Sequence, residues 1–555
     1  MKILPVEKIA AKLKINKKYI LPYGKYSAKI DLAVLKEISR LRRRGKYILV
    51  TAITPTPLGE GKTVTTIGLS MALNRMGKKA CACIRQPSLG PVFGIKGGGA
   101  GGGASRLVPT EDINLHFTGD FHAVSIAHNL AAAFLDNSIF RGNSLNINPA
   151  AITWRRAIDV NDRSLRDIRA CLNEKEEGPG RDSGFDITAA SEIMAILALS
   201  EGLTDMRKRL GRIVLADKFD GAPVTAEEIK VAGSMAALLK DAIKPNLVQT
   251  VENTPCFVHT GPFGNIAHGN SSIIADRIAL SFCDYVVTEA GFGADCGAEN
   301  FFNIKCRVSG LVPDAVVLVC SVRALKAHSG KFSMHLCKAL DKGLVEENIP
   351  ALEQGLCNLK KQIANVKAFG VPVVVAINRF ASDTDKEIKL IRERSIEFGA
   401  VNCQVSQAWS KGSRGSIDLA KSVVSASKIK KDFKFLYPLD MPIKEKIKVI
   451  ATRMYGARAV EYSALAEERI NAYNRRGWDK LPVCMAKTQL SLSHDPHLLG
   501  EPKDFVLPVR DVRASIGAGF LYPLCGKVQT MPGLPACPAG ENIDIDEEGN
   551  VTGLH

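Results

Sequence analysis

The sequence has no long hydrophobic run and few aromatic residues. Its 555 residues contain no stretch of about 18 uncharged apolar residues, the length that crosses a lipid bilayer. Glu7 and Lys8 stand where a secretory signal would carry its apolar core, so export is not expected. Aromatic residues make up 6% of the chain, hydrophobic residues 46% and charged residues 24%, which is typical of globular proteins. The length predicts about two to four domains.

Closely spaced cysteine pairs are also scarce. The chain has 14 cysteines but no Cys-x-x-Cys motif, and only Cys81 and Cys83 lie near one another in the sequence. This pattern predicts neither a zinc ribbon nor a disulfide framework. We therefore expect reduced cysteines and a cytoplasmic protein.

The charge is strongly basic, with 74 lysines and arginines against 57 acidic residues and a net charge of +17. Such a charge suits a nucleic acid, a membrane surface or a small polyanion. The basic residues are spread along the chain, except for the clusters Arg42–Arg44 and Lys428–Lys434. This spread disfavours the alternative of a basic nucleic-acid-binding protein. We expect small-molecule partners, and neither a nucleic acid nor a membrane.

Apolar β-branched runs alternate with helical patterns along much of the chain. Tyr47–Ile53 is a predicted strand, Val64–Met76 a helix ended by Gly77, and Lys79–Ile84 a second strand. Further strands are predicted at Tyr285–Thr288, Ala315–Val319 and Val373–Ile377, helices at Pro223–Leu239 and Asp383–Phe398, and a surface loop at Lys175–Gly184. The alternation predicts an α/β fold: a P-loop NTPase-like, mostly parallel sheet flanked by helices, with two smaller α/β domains.

A phosphate-binding motif lies between the first predicted strand and helix. The segment nearly matches G-x-x-x-x-G-K-[ST], with Thr56 in place of the first glycine. Glycines at this place let backbone N–H groups point at phosphate oxygens, and the helix N-terminus adds its dipole. Lys62 would neutralise the terminal phosphates, and the Thr63 hydroxyl would bind Mg²⁺. The residues assigned to phosphate binding are Thr56, Pro57, Leu58, Gly59, Glu60, Gly61, Lys62 and Thr63.

The alternative to this interpretation is a chance match in a surface turn. The strand before the motif and the helix after it are the context that a phosphate loop requires. They favour nucleotide binding.

Two charged residues come at the ends of predicted strands. Arg85 directly follows the strand Lys79–Ile84, and Glu289 follows Tyr285–Thr288. Ligands bind at the carboxyl edge of open α/β sheets. Arg85 could stabilise the charge on a transferred phosphoryl group, and Glu289 could hold Mg²⁺ or its water. A surface arginine and a carboxylate that caps the next helix are the alternatives.

Two further segments carry unusual residue types. The segment Lys96–Gly103 has six glycines in the seven positions after the lysine, which favours a loop that faces a ligand over a flexible hinge. Downstream, His116, Asp120 and His122 are of the types that bind metals. Their spacing fits neither one helix face nor a usual zinc site, so hydrogen-bonding roles are preferred.

Two aromatic residues are predicted to lie in loops. Phe380 follows the strand at Val373–Ile377, and Trp409 precedes a polar segment that includes Ser413. A flat heteroaromatic ligand could stack between such rings. Ordinary core or rim positions are the alternative for each.

Eight motifs, taken in order, resemble the formate–tetrahydrofolate ligases. They are TPTPLGEGKT, RQPSLGPVFGIKGG, EDINLHFTGDFHA, DAIKPNLVQT, VVTEAGFGAD, FFNIKCR, LPVCMAKTQLSLS and TMPGLPACP. The resemblance runs from about residue 25 to the C-terminus. Gln86, HGNSSIIADRIAL from His268 and GAGFLYPLCG from Gly517 look more like the synthetase portion of eukaryotic trifunctional enzymes than the monofunctional bacterial ones.

The resemblance implies a two-step reaction. Formate attacks the γ-phosphate of MgATP to give formyl phosphate, and tetrahydrofolate then takes the formyl group to give 10-formyltetrahydrofolate. Carried over by position, Thr56–Thr63 hold ATP, Lys62 and Arg85 grip formyl phosphate as catalytic residues, and Phe380 and Trp409 sandwich the pterin. The resemblance also implies a monovalent cation, K⁺ or NH₄⁺, and a homo-oligomer.

The pattern along the chain suggests domain boundaries between residues 350 and 370 and near residue 500. Together with the resemblance, this predicts a nucleotide-binding P-loop domain over residues 1–355, a folate-binding α/β domain over 356–500 and a small C-terminal domain over 501–555. Some positions depart from the family pattern. Ala104 stands where the family usually has tyrosine, Thr110 replaces a commoner methionine, and Ser413 and Arg414 alter a usually glycine-rich stretch. These changes keep open a related ATP-dependent enzyme that activates another carboxylate or uses another acceptor.

Overall fold

The computed structural model describes residues 2–41, 45–263, 266, 268–332, 334 and 339–554. The basic cluster Arg42–Arg44 lies outside these ranges. Within them, no helix combines the length and the hydropathy needed to cross a membrane.

A large sheet organises the described chain. It has twelve strands in these ranges: β1 Ile20–Pro22, β2 Ala28–Ile30, β3 Lys46–Ala52, β4 Ala80–Ile84, β5 Gly101–Gly102, β6 Ser105–Val108, β7 Asn246–Thr250, β8 Pro255–Val258, β9 Tyr285–Glu289, β10 Ala315–Cys320, β11 Val373–Asn378 and β12 Asn402–Ser406. The order is β1-β2-β7-β8-β4-β9-β3-β10-β11-β12, and β6 pairs with both β7 and β5.

Seven neighbouring strands, from β8 to β12 in this order, pair in parallel. The strands at the β1 end pair antiparallel. Strand β10 is buried over all six residues, as expected for a parallel strand covered by helices on both faces. The prediction of an α/β fold with a large, mostly parallel sheet is confirmed.

Helices cover the sheet. Those of eight residues or more in the described ranges are Val6–Leu13, Lys62–Arg75, Asp120–Phe140, Glu192–Leu199, Leu203–Gly211, Ile273–Phe282, Ile349–Lys367, Asp385–Glu397, Ile417–Ala426, Ile443–Ile450 and Ala464–Arg475. Shorter ones are Val34–Ile38, Leu89–Pro91, Thr110–Asn114, Glu174–Glu177, Ala232–Leu238, Cys306–Ser309, Val322–Ala327, Lys342–Val345 and Ala408–Lys411.

Smaller sheets are formed by the remaining strands. These are Ile147–Ile152, Arg156–Ile158, Ile168–Ala170, Arg181–Ser183, Phe185–Ile187, Val214–Lys218, Pro223–Thr225, Ala459–Tyr462, Val506–Ser515, Phe520–Cys525, Asp544–Ile545 and Val551–Thr552. The domain boundaries stay a prediction. Strands β11 and β12, which that division assigns to the second domain, extend the same sheet as β3 and β10.

Three expectations need correction. The single helix predicted at Pro223–Leu239 is a strand, Pro223–Thr225, followed by a helix, Ala232–Leu238, because proline and β-branched residues favour extended backbone. The predicted loop at 175–184 includes part of a short helix and a three-residue strand. Cys537 is disulfide-bonded, whereas the twelve other described cysteines form no disulfide.

Candidate active site

The phosphate-binding motif forms the connection between β3 and the helix Lys62–Arg75, as predicted. Gly59 and Gly61 have φ values of +73° and +77°, a left-handed conformation that favours glycine. A Cβ atom on Gly61 would lie 2.5 Å from Nδ2 of Asn378, at the end of β11. Substitution of Gly61 would therefore strain the loop and push it away from the neighbouring strand.

Glu60 braces this loop from within. Its side chain is 1% exposed, and Oε1 accepts hydrogen bonds from the backbone N and the Oγ1 of Thr56, both at 3.0 Å. The other oxygen, Oε2, accepts a hydrogen bond of 3.0 Å from Oγ of Ser321. The side chains of Thr56 and Glu60 thus bind each other and fix the shape of the loop, in which the N–H of Gly59 also donates to the carbonyl of Thr56 at 3.0 Å.

Thr63 and Glu289 meet at the carboxyl edge of the sheet. Oγ1 of Thr63 donates a hydrogen bond of 2.7 Å to Oε2 of Glu289, which is buried at the end of β9. A hydroxyl and a carboxylate are the hard oxygen ligands that Mg²⁺ prefers. No group of three or more His, Cys, Asp or Glu side chains in the described ranges could hold a metal. A metal bound here would need further oxygen ligands, such as phosphate and water.

Arg85 lies beside this pair. One guanidinium nitrogen donates a hydrogen bond of 3.0 Å to the carbonyl of Pro262, while Nε is buried with no hydrogen-bond partner among the described residues. A Cβ atom on Gly291 would lie 2.8 Å from Nη2 of Arg85, so only glycine gives the guanidinium this room. Burial lowers the pKa of Arg85, and the charge of Glu289 opposes that shift.

Two lysines join Arg85 in one cationic cluster. Burial lowers the pKa of Lys62 to about 8. The positive charges of Lys96 and Arg85 also lower this pKa, whereas the negative charges of Glu60 and Glu289 raise it. Lys96 is exposed at its surface, yet desolvation by the surrounding chain and then the charge of Arg85 lower its pKa. Lys96 was not among the predicted site residues. Its only signal in the sequence is its position directly before the glycine run.

The lowered pKa of Lys62 predicts a pH dependence for anion binding. Lys62 is a cation below about pH 8 and loses its charge as the pH rises through that value. We expect ADP affinity, measured by calorimetry, to fall across this range in the parent. In Lys62→Arg the affinity should stay nearly level, because a guanidinium remains charged. An ADP affinity that does not change with pH in the parent would rule out Lys62 as the titrating contact.

Phe380 and Trp409 follow neighbouring strands at the same edge of the sheet. Phe380 lies in a loop, whereas Trp409, predicted in a loop, lies in the short helix Ala408–Lys411. Asn378 of β11 pairs with Ser406 of β12, and the two aromatic residues follow these positions closely in the chain. Phe380 is half-buried, and the Trp409 side chain is 62% exposed. No direct ring contact joins them among the described side chains. The two rings are therefore placed at one edge of the sheet without stacking on each other.

The glycine run packs against Trp409. A Cβ atom on Gly103 would collide with the carbonyl oxygen of Trp409, and the backbone N of Ala104 donates a hydrogen bond of 2.7 Å to that same oxygen. Gly412 lies against Ala104, and the backbone N of Ser413 donates to Glu252 at 2.9 Å. The glycines thus let the backbone of the glycine run lie against the segment that carries Trp409. Ala104 and Ser413, two positions that depart from the family pattern, lie beside that segment.

The histidine segment is not a metal site in the described structure. Asp120 is buried, pairs with Nζ of Lys29 at 2.7 Å and accepts a hydrogen bond of 2.8 Å from Asn246. His116 and His122 are exposed. The Asp120 carboxylate is therefore already neutralised by Lys29. This partner could not be identified from the spacing of residues in the sequence.

The family model for formate–tetrahydrofolate ligase matches residues 1–555. The chain belongs to the formate–tetrahydrofolate ligase family. It is 54% identical to a formate–tetrahydrofolate ligase of Desulforamulus reducens, over 100% of this chain and 97% of the relative. It is 55% identical to the one of Roseiflexus sp. (strain RS-1), over 100% and 98%. The likeness to the eukaryotic trifunctional enzymes stays a prediction.

Motifs of the formate–tetrahydrofolate ligase family that are far apart in sequence meet beneath the phosphate loop. Gln362 Nε2 donates hydrogen bonds to Oγ1 of Thr54, at 3.0 Å, and to Oδ1 of Asp295, at 2.8 Å. Asp295 forms a buried ion pair of 2.9 Å with Lys487. These contacts tie TPTPLGEGKT, VVTEAGFGAD and LPVCMAKTQLSLS to one another and support the floor of the site.

Proposed function

We propose that this protein uses ATP to join formate to tetrahydrofolate, giving 10-formyltetrahydrofolate, ADP and phosphate. Family membership over the whole chain supports this function. The observation that carries it is the position of Lys62 and Arg85 at a sheet edge that also holds two aromatic residues, Phe380 and Trp409. One edge would thus bind both a nucleotide and a flat acceptor.

The proposed chemistry runs through formyl phosphate. A formate oxygen attacks the γ-phosphorus of ATP, a new O–P bond forms, and the bond to the ADP oxygen breaks. The N10 amine of tetrahydrofolate then attacks the formyl carbon, the C–O bond to phosphate breaks, and the amine loses its proton. Formate is a weak nucleophile and the mixed anhydride is sensitive to water, so the site must neutralise phosphate charge and exclude water.

The cationic cluster suits the first of these requirements. The backbone N–H of Gly61 would hold a phosphate oxygen, as in P-loop NTPases, and Lys62 would neutralise the terminal phosphates. Arg85 would bind the transferred phosphoryl group, since its buried Nε–H has no partner and an anion would satisfy it. Lys96 would add a third positive charge.

Two cations complete the proposal. Thr63 and Glu289 present oxygen donors that fit Mg²⁺ bound together with ATP. When bound, Mg²⁺ supplies positive charge that offsets the charge of the phosphates. A monovalent cation, K⁺ or NH₄⁺, is proposed without assigned ligands. A cytoplasmic homo-oligomer is likewise proposed from the family resemblance.

Phe380 and Trp409 are the proposed pterin platform, and Ala104 is the position most apt to alter it. The backbone N–H of Ala104 donates a hydrogen bond to the Trp409 carbonyl. At this position the family usually has a tyrosine. The small side chain leaves room that a larger acceptor could fill. An enzyme with another acceptor is therefore the second candidate function.

Restoring the larger side chain tests this point. If tetrahydrofolate is the acceptor, Ala104→Tyr should add ring contacts beside Trp409 and lower the KM for tetrahydrofolate about two- to fivefold. The KM for ATP should stay unchanged, since the phosphate loop is not touched. Ala104→Ser is the control for a change at the same backbone position. A higher KM for tetrahydrofolate in Ala104→Tyr would show that the room beside Trp409 is needed by the acceptor.

The direct test of the function is product formation with each substrate omitted in turn. In K⁺ buffer, 10-formyltetrahydrofolate is converted by acid to its methenyl form and followed by absorbance. We expect product only when formate, MgATP and tetrahydrofolate are all present. ADP release that depends on formate but yields no folate product would favour the second candidate.

A further inference from the structure

Arg323 lies close to the site and, like Arg85, forms no ion pair in the described structure, but its guanidinium lies over an aromatic ring. It lies on the helix Val322–Ala327, and its guanidinium carbon is 3.8 Å from the centroid of the Phe380 ring. Its Nε is buried without a hydrogen-bond partner. Arg379, by contrast, pairs with Asp385 at 3.0 Å. The ring of Phe380 is thus the direct contact of the Arg323 guanidinium, and the negative charges of Glu60 and Asp383 act on the same group.

Such a contact fixes an aromatic ring. A guanidinium is planar, weakly hydrated and attracted to the negative face of an aromatic ring. Asp383 holds the backbone at the same place, because the N–H of Phe380 donates to Oδ2 of Asp383 at 2.8 Å and the N–H of Asp383 donates to the Phe380 carbonyl at 3.2 Å. No other aromatic or cationic contact with the Phe380 ring is found in the described part of the chain. Arg323 is therefore the one cationic or aromatic side chain over this ring in the described part of the chain.

The helix that carries Arg323 is attached to the phosphate loop. Ser321 caps this helix by accepting a hydrogen bond of 3.3 Å from the N–H of Ala324, and its hydroxyl donates to Glu60. The side chain of Asn378, two residues before Phe380, donates to the carbonyl of Glu60 at 3.3 Å. The backbone and the ring of Phe380 are both connected to Glu60, one through Asn378 and the other through the Arg323 helix.

We propose that Arg323 is a positioning residue for tetrahydrofolate: its guanidinium covers one face of Phe380 and holds the ring so that the opposite face receives the pterin. This inference rests on the proposed function and on Phe380 as part of the platform. It makes Arg323 act through Phe380, with no contact to the reacting atoms.

The first test is a split between kinetic constants. Arg323→Met keeps the length of the side chain but removes its charge and planar group, and should raise the KM for tetrahydrofolate about three- to tenfold. The KM for ATP and the kcat at saturating tetrahydrofolate should stay near the parent values, because Ser321 still binds Glu60. Arg323→Lys keeps a cation over the ring and should fall between parent and Arg323→Met. Arg392→Met is the matched control, because Arg392 is exposed and donates a hydrogen bond to Gln404 but has no other hydrogen-bond partner in the described ranges.

A double-mutant cycle separates positioning from a general structural role. In a Phe380→Leu background the ring is gone, so adding Arg323→Met should raise the KM for tetrahydrofolate no further. Additive effects, a loss of kcat with an unchanged KM, or an Arg323→Met variant that matches the parent would each overturn the inference. If Arg323→Met does not fold, Arg323→Lys alone and combined with Phe380→Leu gives the same comparison.

The outcomes distinguish this inference from the proposed function. A parent enzyme that makes no 10-formyltetrahydrofolate contradicts the proposed function itself. A normal KM in Phe380→Leu contradicts the platform. A raised KM in Phe380→Leu beside a normal one in Arg323→Met contradicts only the role given to Arg323.

Discussion

Arg85→Ala should lower kcat about 10²- to 10³-fold, the range seen when a donor to developing transition-state charge is removed. The Nε of Arg85 is buried and has no hydrogen-bond partner in the described structure, so it could bind a phosphoryl oxygen. The positive charge of Arg85 also interacts with the charges of Lys62, Lys96 and Glu289. Nucleotide binding should persist, because Lys62 and the loop glycines are unchanged. The measurement is kcat for 10-formyltetrahydrofolate formation together with the Kd of ADP.

Arg75→Ala is the matched control, since Arg75 is exposed at the far end of the helix Lys62–Arg75. It should match the parent in both quantities. An Arg85→Ala enzyme with normal kcat would remove Arg85 from the chemistry. A joint loss of kcat and ADP affinity would assign it to nucleotide binding instead.

Trp409→Ala should raise the KM for tetrahydrofolate about tenfold or more, because stacking of a flat heterocycle on an aromatic ring contributes about 1–3 kcal/mol. Its side chain is exposed and held at the sheet edge by the glycine run. Trp409→Phe should recover much of the affinity. The KM for ATP should not move.

Phe219→Ala offers a control with the same exposure, since both side chains are 62% exposed. Phe219 follows the strand Val214–Lys218, outside the large sheet, and its loss should leave both KM values unchanged. If Trp409→Ala behaves like Phe219→Ala, the ring does not contact the acceptor. An equal rise in the KM for ATP would mean that the loop as a whole had been disturbed.

The central fold was predictable because its strands are continuous β-branched runs. The predicted strand at 47–53 is observed at Lys46–Ala52, and the predicted helix at 64–76 is observed at Lys62–Arg75. Parallel strands buried on both faces leave this pattern in the sequence. The parallel order in turn explains why Thr63 and Glu289, 226 residues apart, were expected at one edge and form a hydrogen bond.

The parts of the site that were not predicted from the sequence depend on contacts that no local sequence pattern encodes. Lys96 joins the cluster because its loop folds towards Arg85, and Glu60 reaches Ser321 across 261 residues. Arg323 gives no signal at all, since its partner is the ring of Phe380 on another strand end. The prediction of one helix over Pro223–Leu239 was wrong because the strand at its start and the helix at its end both contribute apolar residues to that stretch.

The most direct test of this account follows oxygen from formate to phosphate. With formate labelled by ¹⁸O, attack on the γ-phosphorus and later cleavage of the C–O bond leave one formate oxygen on the released phosphate. The account predicts singly labelled phosphate, in proportion to the 10-formyltetrahydrofolate formed, by mass spectrometry. Unlabelled phosphate released alongside 10-formyltetrahydrofolate would contradict formyl phosphate as the intermediate at this site.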